Sequence, residues 1–574
     1  MAEFLDKVTI QTPSKHFRDF DLSCMHLTTA GFMSPSIVYA KEFPEAKIRC
    51  NLKSYSRLQP LLKPVLGSVQ VHNRAFWVPF RVVWDPFESF ITDSPYNTSS
   101  GSGIINAVPT IKNSVFTSLF VTGGYHSAYT SVVSSGSYDF TYNSSRYKFT
   151  QKGRFAFKIL RQLGYYPQFN ANIGDYDMSC LPLLCFAKLF LDWYYPAQYA
   201  HTGDAGNIDG MFHRQFRYDM SMADLHAIIG FTYRTYYKND YFTAAWDSPV
   251  APTIDAGSID IQIPDITISS ANRGLVKQAG ASENNPYKGT PYVNVGKLGL
   301  TQYLDDSLKA LTNYVKRHQL VGARVLDRYL ADFSVSLDAA KLKRSIYVGS
   351  QSFPIQFSDV MSNSDTSDAV LGQYAGKGVA YDGAGNFEYD TKEFGMFVII
   401  NDVAPDVAYY QGIDRNVFHI SKTDFLLNEF ERLGTQPVLS VEAAACMGDD
   451  EEVEVGDIFG FLPRYSEYKV GRDLITGLFD YDSVNVGLSS WSTMRTLDYN
   501  AVHSIGFMRG DDSYQYNRIF YGDSYQGNTE IDNFIFVHRI NIKVAMRAMP
   551  MYDTYDFDED EGMEIKMQAN GVQV

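Results

Sequence analysis

The sequence predicts a mainly β protein of the sandwich or jelly-roll type, in which long loops hold much of the mass and helices are few. Three observations predict it. Residues 534–544 (FIFVHRINIKV) alternate strictly: Phe534, Phe536, His538, Ile540, Ile542 and Val544 share one face, and Ile535, Val537, Arg539, Asn541 and Lys543 share the other. That is the pattern of a half-buried strand, with His538 a core residue. Residues 69–78 (VQVHNRAFWV) and 395–403 (GMFVIINDV) also read as strands, bounded by Gly67, Pro79 and Pro405. The three runs lie at the beginning, middle and end of the chain, so a sheet that joins them has long-range topology.

Two segments read as helices. Within residues 301–333, Leu304, Leu308, Leu311 and Val315 recur at helical spacing, and Asp305 and Asp306 favour the first turn. Residues 180–195 follow, with Pro182 near the start and Pro196 just past the end. Between the ordered runs lie two long stretches without helical period, 96–147 and 248–299, rich in Ser, Gly, Thr, Tyr and Asn. Loops this long are functional or packed against a partner, and their aromatics suit contact surfaces rather than linkers. No repeat of solenoid or propeller length occurs.

Composition narrows the function. The chain has 574 residues, 45% hydrophobic and 20% charged, enough for a sizeable core. Its 40 Tyr and 39 Phe suit extensive surface contacts, although an aromatic β core gives the same totals. The formal net charge of -15 confines any nucleic-acid contact to one face, because phosphate binding needs local cations. Residues 449–454 (DDEEVE) and 553–564 (DTYDFDEDEGME) read as solvated acidic surface. Cys24, Cys50, Cys180, Cys185 and Cys446 include no CxxC pair, which fits a reducing compartment and no metal or redox site. The opening MAEFLDKVTI has no secretory pattern and no apolar run spans a bilayer, so a soluble protein made in the cytoplasm is expected.

A catalytic centre leaves little trace. There is no phosphate-binding GxxxxGK[ST] loop, no GxSxG elbow and no HExxH helix; residues 372–378 (GQYAGKG) have the wrong spacing and read as a turn. The eleven histidines are scattered, which disfavours a metal site, and no cofactor is expected. Paired carboxylates of a glycoside hydrolase remain open at this point, as does a Tyr- and Trp-rich β-sandwich that binds carbohydrate. Basic residues interleave with aromatics at 213–218 (HRQFRY) and 233–238 (YRTYYK), combining cations with stacking platforms as single-stranded nucleic-acid binding requires. The candidates are Arg214, Arg217, Arg234 and Lys238; a Tyr-rich chain also produces such mixtures by chance. Lys341, Lys343 and Arg344 form another basic cluster.

Several segments, in order, resemble the major capsid proteins of the Microviridae, most of all the gokushovirus-type branch. They begin with residues 20–23 (FDLS) and 54–64 (SYSRLQPLLKP), which contains Arg57. Residues 76–92 (FWVPFRVVWDPFESFIT) match through Val78, Pro79, Arg81, Trp84, Phe87, Phe90 and Ile91. Residues 240–249 (DYFTAAWDSP) follow, then Asp338, Ala339, Leu342, Arg344 and Tyr347, then Gln411, Gly412 and Ile413. The last element, within 459–469, carries Gly460, Pro463, Arg464, Tyr465, Glu467, Tyr468 and Lys469. The stretch 96–147 is longer than its family counterpart and reads as a lineage-specific surface insertion, 248–299 as a surface loop, and 551–574 as an acidic tail beyond the family's usual end.

The resemblance implies one eight-stranded antiparallel jelly roll of the viral capsid type with very large loop insertions. It also implies a non-enzymatic coat protein that self-assembles into a T=1 icosahedral shell around circular single-stranded DNA. Its expected partners are other copies of itself, a minor spike or pilot protein, an internal scaffolding protein and the bacterial host surface reached by outer loops, without membrane insertion. The expected location is the virion, assembled in the host cytoplasm.

Overall fold

The protein is described by a computed structural model covering residues 16–39, 46–59, 61, 65–98, 101–169, 175–196, 220–231, 233–238, 240–246, 344–361, 374–428, 430–431, 435–444, 457–479, 491–495, 497, 503–509, 518–520, 532–546, 553–554 and 565–566. Among them, the strands that organise the fold are β1 (His16–Thr28), β2 (Ser34–Tyr39), β3 (Lys47–Leu58), β4 (Val69–Pro79), β5 (Ile346–Pro354), β6 (Gln356–Met361), β7 (Tyr374–Asp390), β8 (Gly395–Pro405), β9 (Thr435–Leu439), β10 (Ile458–Pro463) and β11 (Phe534–Met546). They form two large antiparallel sheets. The first has the order β1-β11-β3-β7-β6, the second β5-β4-β8-β2, and β9 pairs with β10 separately. The three strands read from the sequence are β4, β8 and β11. They contribute to both sheets, as long-range topology requires.

The two sheets face each other across an apolar interior. Ile48, Cys50 and Leu52 of β3 and Ile540, Ile542 and Val544 of β11 meet Trp77 of β4 and Phe397 and Ile399 of β8. A second cluster joins Leu58, Phe534 and Phe536 of the first sheet to Val69, Val71 and Val403 of the second. Between the clusters runs a polar seam of fully buried side chains. Asn401 Nδ2 donates to Asn73 Oδ1 (2.8 Å), Asn73 Nδ2 donates to Ser54 Oγ (2.9 Å), and Ser54 Oγ meets His538 Nδ1 (2.9 Å). Because side chains alternate with period two, a one-residue slip of any of these strands would break the seam as well as expose the core.

The sheets differ in how they are covered. β3 alternates buried and exposed positions, so the first sheet keeps a solvent face. In β8 every residue but Ala404 is buried. Its continuous apolar run, rather than an alternating one, follows from cover on both faces. The second cover is a large cluster built on α1 (Gln151–Gln162), α2 (Leu181–Leu189) and α3 (Met222–Ile229), in which Phe76, Val78, Val398 and Ile400 meet Leu184, Phe186 and Phe190. α2 carries Pro182 in its first turn and continues as a π-helical turn over Phe190–Tyr194, close to the expected bounds. α1, unanticipated, is capped by Thr150 Oγ1, which accepts from the Gly153 N–H at 3.1 Å.

The expectation that 96–147 lacks helical period is corrected. It contains short helical turns over Asn113–Thr117, Ser118–Thr122 and His126–Tyr129, and Phe116, Leu119, Phe120 and Tyr129 are fully buried in the large cluster. Phe116, Leu119 and Phe120 stand at helical spacing inside a Ser- and Thr-rich stretch whose composition masks the period. Its last part forms a small sheet of Thr130–Val132, Phe140–Tyr142 and Ser145–Phe149 that is mostly exposed or half-buried. The expected helix at 301–333 and the loop at 248–299 lie outside the described residues, as does most of 551–574. Cys24, Cys50, Cys180 and Cys185 form no disulfide among the described residues, and burial pushes the Cys50 thiol up to about 12, which keeps it inert.

Two predictions follow from the interior. Phe397→Ala removes a fully buried ring and is expected to cost about 3–5 kcal/mol, whereas Tyr381→Ala on the solvent face is expected to stay within about 0.5 kcal/mol; urea unfolding of the unassembled subunit separates them. The second concerns His26 of β1, whose ring stacks on that of His538 with centroids 5.1 Å apart. Burial, the largest cause, lowers His26 to about 4 and holds His538 well below the usual 6.5. Both rings are therefore neutral in the fold, while the unfolded chain takes up protons first as the pH falls. Stability is expected to be full above about 6.5 and to decline progressively toward 4. His26→Leu should flatten this decline, and an unchanged pH profile of the unfolding midpoint would contradict it.

Candidate functional site

The residues singled out from the sequence divide sharply by environment. Arg234 is only 4% exposed, with its guanidinium 5.1 Å from the Phe155 ring centroid. Lys238 is open, its side chain 82% exposed and its Nζ 3.8 Å from Asp406. Arg214 and Arg217 lie outside the described residues. Of the two described candidates, one is enclosed and one is at the surface.

The remaining residues are mostly anchors between strands and loops. Pro79 ends β4 and precedes a buried helical turn, Phe80–Val83. Arg81 clamps Glu393 through Nε (2.5 Å) and Nη2 (3.2 Å), a two-pronged pair that joins this turn to the start of β8. Trp84 is fully buried, tilted against Phe90 at 5.7 Å and edge-on to Phe87 at 6.3 Å. Arg344 donates to the Asp192 carbonyl (3.0 Å) and lies over the Trp193 ring at 4.1 Å, which ties the entry of β5 to the end of the α2 segment. Arg57 differs, standing exposed on the solvent face of β3.

The element after β10 builds the most specific arrangement. Tyr465 is 1% exposed and adopts a left-handed backbone (φ 62°), a conformation costing about 1–3 kcal/mol for a non-glycine residue. Surrounding bonds hold it there. Its N–H donates to Gln436 Oε1 (3.0 Å) and its hydroxyl donates to the Thr423 carbonyl (3.0 Å). Arg464 Nη2 donates to the same carbonyl (2.8 Å), and Gln436 Nε2 donates to Glu467 Oε2 (2.6 Å). Pro463, at the end of β10, offers its carbonyl to Ser466 Oγ at 2.5 Å. Nearby, Glu442 is 1% exposed and accepts from Arg415 Nη1 (2.7 Å) and the Tyr241 hydroxyl (3.0 Å). Burial first, and then the Glu442 carboxylate, push the Tyr241 hydroxyl well above its usual value and keep it a donor.

These anchors present one segment, residues 413–427, to solvent. Arg415 roots it at one end and Thr423 at the other, while Asp424 accepts from the Ile420 and Ser421 N–H groups (3.1 and 2.7 Å) and fixes its bend. Its apolar side chains point outward: Ile420 is 87% exposed, Val417 69% and Phe425 53%. A loop held by these bonds and displaying large apolar groups is a candidate contact surface. Sequence reading missed it because the segment has neither strand nor helix period. The available signal was isolated Val, Ile, Phe and Leu residues in an otherwise polar loop.

No group of three or more metal-ligating side chains occurs among the described residues. No helix among them is long and apolar enough to cross a membrane.

Comparison with known proteins identifies the family. A model described as capsid protein (F protein) matches residues 9–122 and 163–555, passing over the whole of the small sheet and of α1. Capsid protein VP1 of Chlamydia phage 1 is 24% identical over 516 residues, covering 76% of this chain and 79% of that protein. Capsid protein VP1 of Bdellovibrio phage phiMH2K is 23% identical over 477 residues, with 76% and 77% covered. The resemblance to microviral coat proteins carried by the sequence motifs is borne out. The chain belongs to the capsid protein (F protein) family, and it is a major capsid protein.

Proposed function

We propose that this capsid protein is the subunit of a T=1 icosahedral shell that encloses circular single-stranded DNA, and that its role is assembly rather than catalysis. Family membership over most of the chain carries the reading. The strand pairing supports the finer statement that the core is a jelly roll. Leaving β6 aside, the other eight strands of the two large sheets pair in chain order first with eighth (β1·β11), second with seventh (β2·β8), third with sixth (β3·β7) and fourth with fifth (β4·β5). Folding a chain back on itself and rolling it into two sheets produces that nesting. Segment 413–427 supplies an apolar contact between subunits of the kind a closed shell repeats on each copy.

On this reading Lys238 and the 213–218 cluster contribute cations toward the genome. A spike or pilot protein and an internal scaffolding protein complete assembly. The exposed part of the 96–147 segment, residues 131–146, reaches outward to the host together with 248–299, and 551–574 is a separate acidic tail. The stretch passed over by the family match includes 131–146, which supports its being a lineage-specific addition.

Electron microscopy of the expressed chain with a nuclease-protection assay tests the reading, with uniform icosahedral particles holding protected single-stranded DNA as the expected outcome. Ile420→Asp is expected to lower particle yield by an order of magnitude or more while leaving the subunit's melting temperature nearly unchanged, since an exposed side chain contributes little to folding. Normal particles from that variant would remove 413–427 from the interface. Shortening the 133–145 hairpin is expected to leave particles intact and reduce adsorption to host cells; unchanged adsorption would contradict its outward placement.

A further inference from the structure

We propose that the solvent face of the first sheet is a binding surface for single-stranded nucleic acid, with phosphates on Lys53, Arg57, Lys377 and Arg539 and a base stacked on the Tyr55–Tyr381 pair. As the genome contact it rests on the capsid reading. The surface itself is argued from charge and register.

The outward positions of β3 are Lys47, Arg49, Asn51, Lys53, Tyr55 and Arg57, since the intervening residues are buried. Register places two of these cations directly opposite cations of β11: Arg49 faces Lys543, and Lys53 faces Arg539. Like charges directly opposite in a sheet are destabilising unless something neutralises them. The first pair is neutralised within the chain. Glu388 lies 2.5 Å from Lys47 and 3.3 Å from Arg49, and Asp19 lies 3.5 Å from Lys543.

The second pair is not. Lys53 and Arg539 have no carboxylate at ion-pair distance among the described residues, and the same holds for Arg57 and Lys377. Asp21, in the groove beside them, accepts instead from Asn541 Nδ2 at 2.7 Å. Among the described residues, carboxylates therefore pair with the cations at one end of the face and with none of the four at the other. The open end contains a groove of about 450 Å³ lined by Asn51, Lys53, Arg539 and Asn541 from β3 and β11 and by Asp21 and Ser23 from β1.

Beside it stand two aromatic rings. Tyr55 of β3 and Tyr381 of β7 are direct cross-strand partners, 39% and 70% exposed. Tyr55 lies between Lys53 and Arg57 on the same face, so cation, ring and cation follow at steps of about 6.8 Å along the strand. A row of cations flanking exposed aromatic faces is what single-stranded nucleic acid takes, phosphates on the former and bases on the latter.

The bland reading, that strand cations block edge-to-edge aggregation, does not apply, because β3 is the middle strand of five. In a chain of net charge -15, four cations on one sheet end with no carboxylate at ion-pair distance among the described residues also meet the requirement that nucleic-acid contact be local. Unlike Arg234, these side chains are open to a ligand.

The test measures binding of the full-length chain to a fluorescein-labelled oligothymidylate by anisotropy across a salt series. For the double variant Lys53→Ala/Arg539→Ala, the slope of log affinity against log salt is expected to shrink by about 1.4, roughly 0.7 for each phosphate contact removed. Tyr381→Ala is expected to weaken binding roughly tenfold with the slope unchanged, the mark of lost stacking. Lys152→Ala, an exposed lysine elsewhere, serves as the control. Slope and affinity in the double variant equal to those of the control would overturn the proposal, as would tight binding by Tyr381→Ala. Electron microscopy of the same preparations separates the readings: particles with unaltered oligonucleotide binding in the variants refute this surface alone, whereas a wild-type chain that binds but never assembles counts against the shell.

Discussion

The fold turns on the burial of the second sheet from both sides. β8 has almost no exposed residue, and β4 carries buried side chains on both faces through its second half. One face closes on the first sheet, while the other needs a cover of its own. That cover is supplied by helices and turns inserted between β4 and β5, which explains why a few-stranded core belongs to so long a chain. With the second sheet enclosed, the polar face of the first sheet and the loops anchored at the sheet ends are among the surfaces that the described residues leave open.

The buried polar groups act as registers more than as adhesive. The seam of Asn401, Asn73, Ser54 and His538 crosses between the sheets with each bond at 2.8 or 2.9 Å. Arg74, whose Nη1 lies 2.7 Å from Asp402 Oδ1 and 3.2 Å from the Tyr194 hydroxyl, ties the second sheet to its helical cover. Such pairs gain little over apolar replacements but cost several kcal/mol when one partner is lost, so each penalises a wrong register. Arg81, Arg344 and Arg464 repeat the device at the loops. The same logic gives Tyr465 its left-handed backbone: strain is tolerated where several bonds converge, and here they hold an apolar loop out toward solvent.

Much of this was legible in the sequence, and the reasons differ by element. β11 announced itself because one face is wet and its residues alternate; β8 did so through an unbroken apolar run with turn residues at its end. The capsid family was legible through short motifs in fixed order, although not through any one of them. The turns at 113–129 were hidden because Ser and Thr dominate their composition while four or five apolar residues do the packing. The apolar loop at 413–427 and the basic face were less visible for another reason. Both arise from juxtaposition: Lys53 and Arg539 are nearly the whole chain apart, and only register makes them neighbours. The basic-aromatic runs that local reading favoured include Arg234, which the fold encloses.

In the proposed shell, two surfaces of the folded subunit, the held apolar loop and the polar sheet face, look toward different partners. A density map of the assembled particle tests it most directly. The expected map has residues 413–427 closed within a contact between subunits and the face bearing Lys53, Tyr55 and Arg539 turned toward the interior. A map with 413–427 open to solvent on every copy, or with that sheet face on the outside of the particle, would contradict it.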